Sequence, residues 1–265
     1  MERPGPLLLA PERLPKVWAG PELPPPWGGL WPSSAGIGEF WLASDRHSQT
    51  RVAAGPLDGL ELGEVVKLWP QWLLGPGAGG GLPILLKILN VGDWLSVQVH
   101  PDDATAAHLE GEPWGKSEAW HVLWAAPGAQ IVMGLVPGAG RQEVRRALVG
   151  GGLTGLLARV PARAGDTFHL PAGTLHATGP GLVICELQQA SDVTYRLHDW
   201  DRLGDDGHPR PLHQDKALEA LKPSGPGQPQ APVLLEDGPN RRERLVEDPH
   251  FALLRCRLAA PYAPA

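Results

Sequence analysis

The stretch GDWLSVQVHPDD, residues 92–103, predicts the end of a β-strand with polar side chains on one face. Successive side chains of a strand point to opposite sides, so Gln98 and His100 share one face and the flanking valines share the other. If the polar face points into the protein, both side chains need a partner there, because buried polar groups are almost always paired. Water, a substrate or a metal ion could each be that partner.

The composition is that of a globular protein built mainly from short strands. The chain has 265 residues, of which 42% are hydrophobic and 20% are charged, which is ordinary for a globular protein with a large core. Glycine (34 residues) and proline (30 residues) are abundant and scattered among apolar segments, which indicates many turns between short strands. The net charge of −6 argues against nucleic acid or an anionic membrane as a partner.

The cysteine content and the N-terminus predict a cytoplasmic protein. Cys185 and Cys256 are the two cysteines, too few for a disulfide framework and typical of a reducing compartment. The apolar run at residues 7–10 is short and flanked by prolines, so it predicts neither a signal peptide nor a membrane span. We therefore expect no membrane partner, and the oligomeric state stays open.

Hydrophobic periodicity predicts more strands than helices. Strands are predicted at residues 37–44, 82–91, 94–100, 117–125, 131–136, 166–178, 181–189, 193–200 and 251–259. Helices are predicted after Pro101, at 140–161 and at 213–221. Residues 222–232 have the composition of a linker. A β-barrel or sandwich with inserted or appended helices is the simplest fold for this pattern.

Two spaced motifs collect side chains that can bind a divalent metal ion. Residues 92–100 have the spacing G-x5-Q-x-H, residues 165–176 have the spacing G-x5-P-x-G-x2-H, and Glu118 lies between them. Two strands and a tight turn can bring such residues together inside a small barrel. Amide oxygen, imidazole and carboxylate suit an ion such as zinc, with a position left for water or substrate. The candidate ligands are Gln98, His100, Glu118 and His176.

These motifs resemble the two motifs of the cupin barrel, with Gln-x-His where the first motif usually has His-x-His. The glutamine, followed by VHPDD, is similar to the type I mannose-6-phosphate isomerase family in particular. The segment GEPWGKSEAWHVL (111–123) resembles the Gly-Lys-Thr-Glu-x-Trp segment of that family, and residues 171–202 and 210–221 continue the similarity. The resemblance covers roughly residues 18–258, and spaced motifs of this length rarely match by chance.

The resemblance implies a mainly β fold, namely a cupin β-barrel (jelly roll) with inserted or appended helices. Residues 1–221 are then the catalytic cupin domain with helical insertions, and 222–232 are a linker. Members of the family continue past the strand that matches residues 250–258, whereas six residues follow Ala259 here. We therefore expect residues 233–265 to form a reduced second cupin-like C-terminal part.

The resemblance also implies an activity: interconversion of D-mannose 6-phosphate and D-fructose 6-phosphate through a cis-enediol(ate). It assigns Arg196 as catalytic and substrate-binding, and Lys116 as a second cationic contact to the substrate. An arginine within VTYRL has apolar neighbours, and a half-buried guanidinium needs an anion such as a sugar phosphate. One zinc ion per chain, or another divalent ion, is the implied cofactor. Water on the metal, Lys116 and a neighbouring carboxylate stay open as the group that moves the proton.

Three other functions compete with this one. A non-catalytic sugar-phosphate-binding cupin could keep the fold and the metal, although Lys116 and Arg196 argue against it. An isomerase of a related aldose would use the same residues. A redox cupin with iron or manganese is disfavoured by Gln98 in place of the usual histidine.

The remaining histidines are predicted to have ordinary structural roles, with one exception. His121 falls on the strand face opposite Glu118, and His47, His108 and His250 lie outside both motifs. His169 lies just before the Pro-Ala-Gly turn and is a candidate neighbour of the site.

Overall fold

The computed structural model describes residues 5–46, 50–76, 80–204 and 206–260. His47 lies outside these residues. In chain order the strands are β1 (Leu9–Ala10), β2 (Glu12–Pro15), β3 (Ile37–Ala43), β4 (Arg51–Val52), β5 (Ile84–Val91), β6 (Val97–Val99), β7 (Glu118–Ala125), β8 (Gln130–Leu135), β9 (Leu157–Pro161), β10 (Thr167–Leu170), β11 (His176–Thr178), β12 (Leu182–Gln189), β13 (Tyr195–His198), β14 (Val233–Asp237), β15 (Arg241–Glu247) and β16 (Ala252–Arg257). The helices are α1 (Trp27–Leu30), α2 (Leu62–Leu68), α3 (Pro70–Leu74), α4 (Asp103–Glu110), α5 (Arg141–Gly150) and α6 (Gln214–Ala220), with a 3₁₀ turn at Leu153–Leu156.

Two antiparallel sheets form the main body, which confirms the predicted mainly β, cupin-type fold. One sheet has six strands in the order β10-β7-β12-β5-β3-β2, and the other has five in the order β13-β6-β11-β8-β9. Within the described ranges they remain two sheets and are not joined into one closed ladder. Their inner faces bury a common core that includes Leu89, Trp120 and Ile184 from the first sheet and Ile131 from the second, which is the sandwich arrangement typical of alternating strands.

The centre of the six-stranded sheet is formed by β5 and β12. β5 (ILLKILNV) and β12 (LVICELQQ) pair over their whole length, from Leu182 opposite Val91 to Gln189 opposite Ile84. Strands that are covered on both faces tolerate nearly continuous apolar runs. Lys87 on β5 and Glu186 on β12 are the charged exceptions in these strands, and both line a cleft.

Residues 222–232 lie against the main body through backbone hydrogen bonds. Leu135 N donates to Ser224 O (2.9 Å), and Gly227 N donates to Met133 O (3.0 Å). Gly134 has φ +81°, and a Cβ there would lie 2.1 Å from Gly225 O. Only glycine permits this close approach of two backbone segments.

A third sheet, in the order β14-β15-β16, follows this segment. Val246 and Phe251 from this region pack with Ala119 and Leu187 of the six-stranded sheet in a separate apolar cluster. None of the helices in the described ranges combines the length and the apolar character needed to cross a bilayer.

The two cysteines are expected to differ sharply in reactivity. Cys256 on β16 is exposed, whereas burial raises the pKa of Cys185 on β12 to about 11. At pH 8 roughly one Cys185 side chain in a thousand would be a thiolate, the form that reacts. We expect one thiol per chain to react quickly with DTNB and the second to react only after unfolding in guanidinium. The fast reaction should vanish in Cys256→Ser; two fast equivalents in the native protein would contradict this prediction.

Candidate metal centre

Two buried histidines are oriented by backbone carbonyls so that the same ring nitrogen of each faces the interior. His100, just after β6, has Nδ1 2.9 Å from Val193 O. His176, the first residue of β11, has Nδ1 2.9 Å from Thr174 O. Since a carbonyl can only accept, each Nδ1 carries a hydrogen, and in the neutral ring Nε2 is left with a lone pair. Metal-binding histidines are commonly oriented in this way.

The carboxylate of Glu118, the first residue of β7, lies between these two nitrogens. Oε1 is 3.2 Å from His176 Nε2, and Oε2 is 3.5 Å from His100 Nε2. Each of the three residues is only 1% exposed. Within the described part of the chain, neither Glu118 Oε1 nor His176 Nε2 has a hydrogen-bond partner.

Two facing acceptors in a dry interior repel each other unless a cation lies between them. Ligand atoms from His100, Glu118 and His176 all lie within 4.8 Å of one another. Two imidazoles and a carboxylate are a common donor set for catalytic zinc. The unpaired acceptors and the chemistry of the donors therefore fit a divalent metal ion.

Lys116 also reaches this group. Its Nζ lies 2.7 Å from Glu118 Oε2 and 3.0 Å from His100 Nε2. Burial alone would raise the pKa of Glu118, but the Lys116 ammonium overcomes it and holds that pKa well below its usual range. Burial, reinforced by Lys116, lowers the pKa of His100 well below its usual value, so this imidazole is neutral, as a metal ligand must be.

Gln98 and Arg196 lie in the same row of the five-stranded sheet as His176. Across the ladder, Gln98 of β6 is opposite His176 on one side and opposite Arg196 of β13 on the other. Gln98, Lys116 and Arg196 also line one cleft. The structure thus brings all the sequence-predicted site residues to one region.

The cleft beside this centre has a volume of about 290 Å³ and a wall rich in charged side chains. Its described lining includes five cations and three carboxylates: Lys16, Lys87, Lys116, Arg196, Arg210, Glu39, Asp192 and Glu186. Because the cations outnumber the carboxylates, the cleft favours an anionic ligand.

Two guanidinium groups in this wall are held by different partners. Arg196 donates from Nη1 to Pro211 O (2.8 Å), and its buried Nε has no hydrogen-bond partner in the described ranges. Arg210 donates from Nε and Nη2 to the two carboxylate oxygens of Asp199, at 2.7 and 2.6 Å. Burial and the nearby Arg210 lower the pKa of Arg196. An anion near Arg196 would relieve both effects.

A buried group of charges was missed by the sequence reasoning. Lys87 Nζ lies 3.6 Å from Glu186 Oε1 and 3.7 Å from Glu39 Oε2, and Trp120 Nε1 donates to Glu186 Oε2 (2.9 Å). Burial, helped by the negative charge of Glu118, raises the pKa of Glu186. The sequence signal for Glu186 was the alternation of side chains along β12. It places Glu186 on the same strand face as the residues two positions before and after it.

The remaining histidines lie outside the cleft wall as far as the structure describes it. His121 Nδ1 is 2.9 Å from Thr167 Oγ1. His169, a candidate neighbour of the site, has its Nε2 2.8 Å from Asp248 Oδ2. His108 and His250 are exposed.

Comparisons with known proteins show which family this chain resembles. A family model described as phosphomannose isomerase type I, catalytic domain, matches residues 27–115. A mannose-6-phosphate isomerase from Streptococcus mutans is 36% identical over 255 residues, which are 96% of this chain and 79% of that protein.

Solved structures extend the comparison to the fold. The crystal structure of the mannose 6-phosphate isomerase from Bacillus subtilis has a TM-score of 0.83 at 30% identity, covering 96% of this chain and 80% of that one. A zinc-bound mannose 6-phosphate isomerase has a TM-score of 0.66 at 17% identity, covering 92% and 81% of the two chains. At that identity the second match supports the fold alone.

Proposed function

Because this chain belongs to the type I mannose-6-phosphate isomerase family, we propose that it is a metal-dependent isomerase that interconverts D-mannose 6-phosphate and D-fructose 6-phosphate. The observation that carries the proposal is the buried group of His100, Glu118 and His176, whose facing acceptors call for a cation. This group lies beside a cleft whose cationic wall suits a sugar phosphate.

The proposed cofactor is one zinc ion, with other divalent ions as substitutes. Gln98 lies beside His176 in the sheet and adds a neutral amide oxygen to the donor set. When bound, the ion supplies Lewis-acid stabilisation of negative charge on the sugar oxygens. The proposed ligands are Gln98, His100, Glu118 and His176.

Arg196 is the proposed catalytic arginine. Its buried Nε has no partner among the described residues, so it can donate to a substrate oxygen without breaking an existing bond. A donor aimed at the oxygen that becomes negative stabilises the enediolate more than the starting sugar. Lys116 is the proposed second contact to the substrate.

Moving a proton between C1 and C2 requires a group that can hold it. Lys116 Nζ and the Glu186 carboxyl are two candidates for this role, since both line the cleft. Burial raises the pKa of Glu186 above that of an exposed carboxyl, which is the direction that favours proton transfer.

The division of the chain and its setting are part of the proposal. We propose that residues 1–221 form the catalytic cupin domain with helical insertions, 222–232 the linker, and 233–265 a second cupin-like part; the separate sheet β14-β15-β16 supports this division. We place the protein in the cytoplasm, with a small sugar phosphate as its ligand and neither nucleic acid nor a membrane as a partner. The net charge of −6 supports this setting.

A coupled assay on mannose 6-phosphate tests the function. Zinc-loaded protein is expected to form fructose 6-phosphate, chelator-treated protein to be inactive, and added zinc to restore activity. Mannose without the phosphate serves as the comparison substrate and should react far more slowly. Binding of the sugar phosphate without turnover would instead indicate a non-catalytic binding protein, and equal turnover of unphosphorylated mannose would indicate another aldose as the substrate.

A further inference from the structure

Gln189, the last residue of β12, is a buried amide that holds the segment in front of β7. Its Oε1 accepts from Ser117 N (2.9 Å), and its backbone N donates to Ser117 O (3.1 Å). On the other side, its Nε2 donates to Asp103 Oδ1 (3.0 Å). Gln189 is 2% exposed, so these bonds are protected from water.

Asp103, the first residue of α4, binds the same segment two residues before Ser117. Its Oδ1 accepts from Gly115 N (2.7 Å), while Lys116 N donates to Pro101 O (2.9 Å). A Cβ on Gly115 would lie 2.4 Å from the carbonyl carbon of Asp102, so the two backbones are in direct contact. Three consecutive N–H groups are thus tied to other parts of the chain.

The regular pairing between β12 and β7 does not reach the segment in front of β7. The ladder between β12 and β7 ends where Gln188 is opposite Glu118, and residues 111–117 have no regular structure. The backbone N of Gln189 and its side-chain Oε1 together extend the contact by one residue, to Ser117. Because side chains alternate along a strand, a shift of Ser117 would move Lys116 and Glu118 together.

We infer that Gln189 and Asp103 form a clamp that positions Lys116 and Glu118 for the reaction, an inference that rests on the proposed function. Neither clamp residue belongs to the described lining of the cleft, so both act through the residues that they hold. The clamp also reaches the turn before His176, since Ser117 Oγ accepts from Ala172 N (3.1 Å).

The clamp affects turnover more than substrate affinity. Arg196 and Arg210 lie on other segments and keep their own partners, Pro211 and Asp199, so binding of the phosphate is preserved. Misplacement of a reacting group by about 1 Å can cost roughly 10²-fold in rate. Displacement of Glu118 also weakens metal binding.

Gln189→Met and Gln189→Glu test the inference, with kcat, KM and Co²⁺ affinity measured on the full chain. Gln189→Met removes both side-chain hydrogen bonds and should lower kcat roughly 10–100-fold with little change in KM, and should weaken Co²⁺ binding about 10-fold. Gln189→Glu places a second carboxylate against Asp103 and should show similar losses.

The exchange Asp103→Asn with Gln189→Glu should partly rescue Gln189→Glu. It removes the pair of carboxylates and returns a hydrogen bond between positions 103 and 189, but the amide nitrogen that donates to position 189 cannot replace the oxygen that accepts from Gly115 N. The values of kcat and Co²⁺ affinity should therefore rise above those of Gln189→Glu without reaching those of the wild type. If Gln189 and Asp103 only stabilised the fold, the single variants would have lower unfolding temperatures, but the exchange would not raise kcat or Co²⁺ affinity. Failure of the exchange to improve on Gln189→Glu would overturn the inference.

Thr167→Val is the matched control, on β10, the other strand that pairs with β7. It removes a partly buried hydrogen bond of 2.9 Å to His121 and should lower the unfolding temperature while leaving kcat and Co²⁺ affinity unchanged. The inference is wrong if Gln189→Met behaves like this control. If wild-type protein fails to isomerise mannose 6-phosphate, the proposed function fails, whereas the Co²⁺ affinities of the same variants still decide the clamp.

Discussion

His176→Leu is expected to lose the bound metal ion while keeping the fold of the metal-free protein. His176 Nε2 is a buried acceptor with no partner in the described residues, so once the metal is absent the substitution loses only the Nδ1 hydrogen bond to Thr174 O, worth about 1 kcal/mol. Removing a ligand should weaken zinc binding by more than the roughly 10–100-fold typical when a ligand loses its supporting hydrogen bond. Zinc content after gel filtration and the unfolding temperature in chelator measure the two effects.

Glu118→Leu and His121→Leu make this prediction specific. Glu118→Leu leaves the buried Lys116 ammonium without its carboxylate, so it should lose metal and also destabilise the metal-free protein by about 3–5 kcal/mol. His121→Leu changes a histidine on β7, the strand that begins with Glu118, and should retain zinc. One equivalent of zinc retained in His176→Leu would show that His176 is not a ligand.

Arg196→Ala is expected to lower kcat by about 10²–10³-fold, the usual cost of removing one donor to a developing negative charge. Its metal content should not change. Arg196→Lys should recover part of the rate, because it returns the charge without the planar guanidinium. Steady-state kinetics with a zinc measurement on each variant test this expectation.

Arg202→Ala is the matched control. Like Arg210, Arg202 pairs with Asp199, at 2.8 Å, but it is not part of the described cleft wall, so kcat of Arg202→Ala should stay near that of the wild type. If kcat of Arg196→Ala were within a few-fold of kcat of Arg202→Ala, Arg196 would not be a catalytic residue.

Alternation of polar and apolar residues predicted the bounds of a strand well where one face of that strand points into the core. Alternation placed strands at 117–125 and 181–189, and the structure has them at Glu118–Ala125 and Leu182–Gln189. The helix predicted over 140–161 is wrong in its second half, because it ends at Gly150 and Leu157–Pro161 is a strand.

Two structural features explain the wrong second half of the predicted helix. The second of them also explains why one strand was not predicted. Gly151 and Gly152 have φ of +80° and +93°, which ends the helix, and β9 then pairs with β8. Pairing with a distant strand overrides the helical spacing of its leucines. The charged strand Arg241–Glu247 escaped prediction for the same reason, because it depends on its neighbours on both sides and has no alternating pattern.

By itself, the sequence determined the fold class, the family resemblance and the residue types at the site, because period-two alternation and motif spacing are local properties. Only the tertiary structure decided which atoms meet. The partner that orients His100 is 93 residues away, and the bond between Gln189 and Asp103 spans 86 residues. Such contacts depend on how distant segments pack, and no local pattern encodes them. The unpaired acceptors of Glu118 and His176, and the clamp behind Lys116, therefore became visible only in the folded chain.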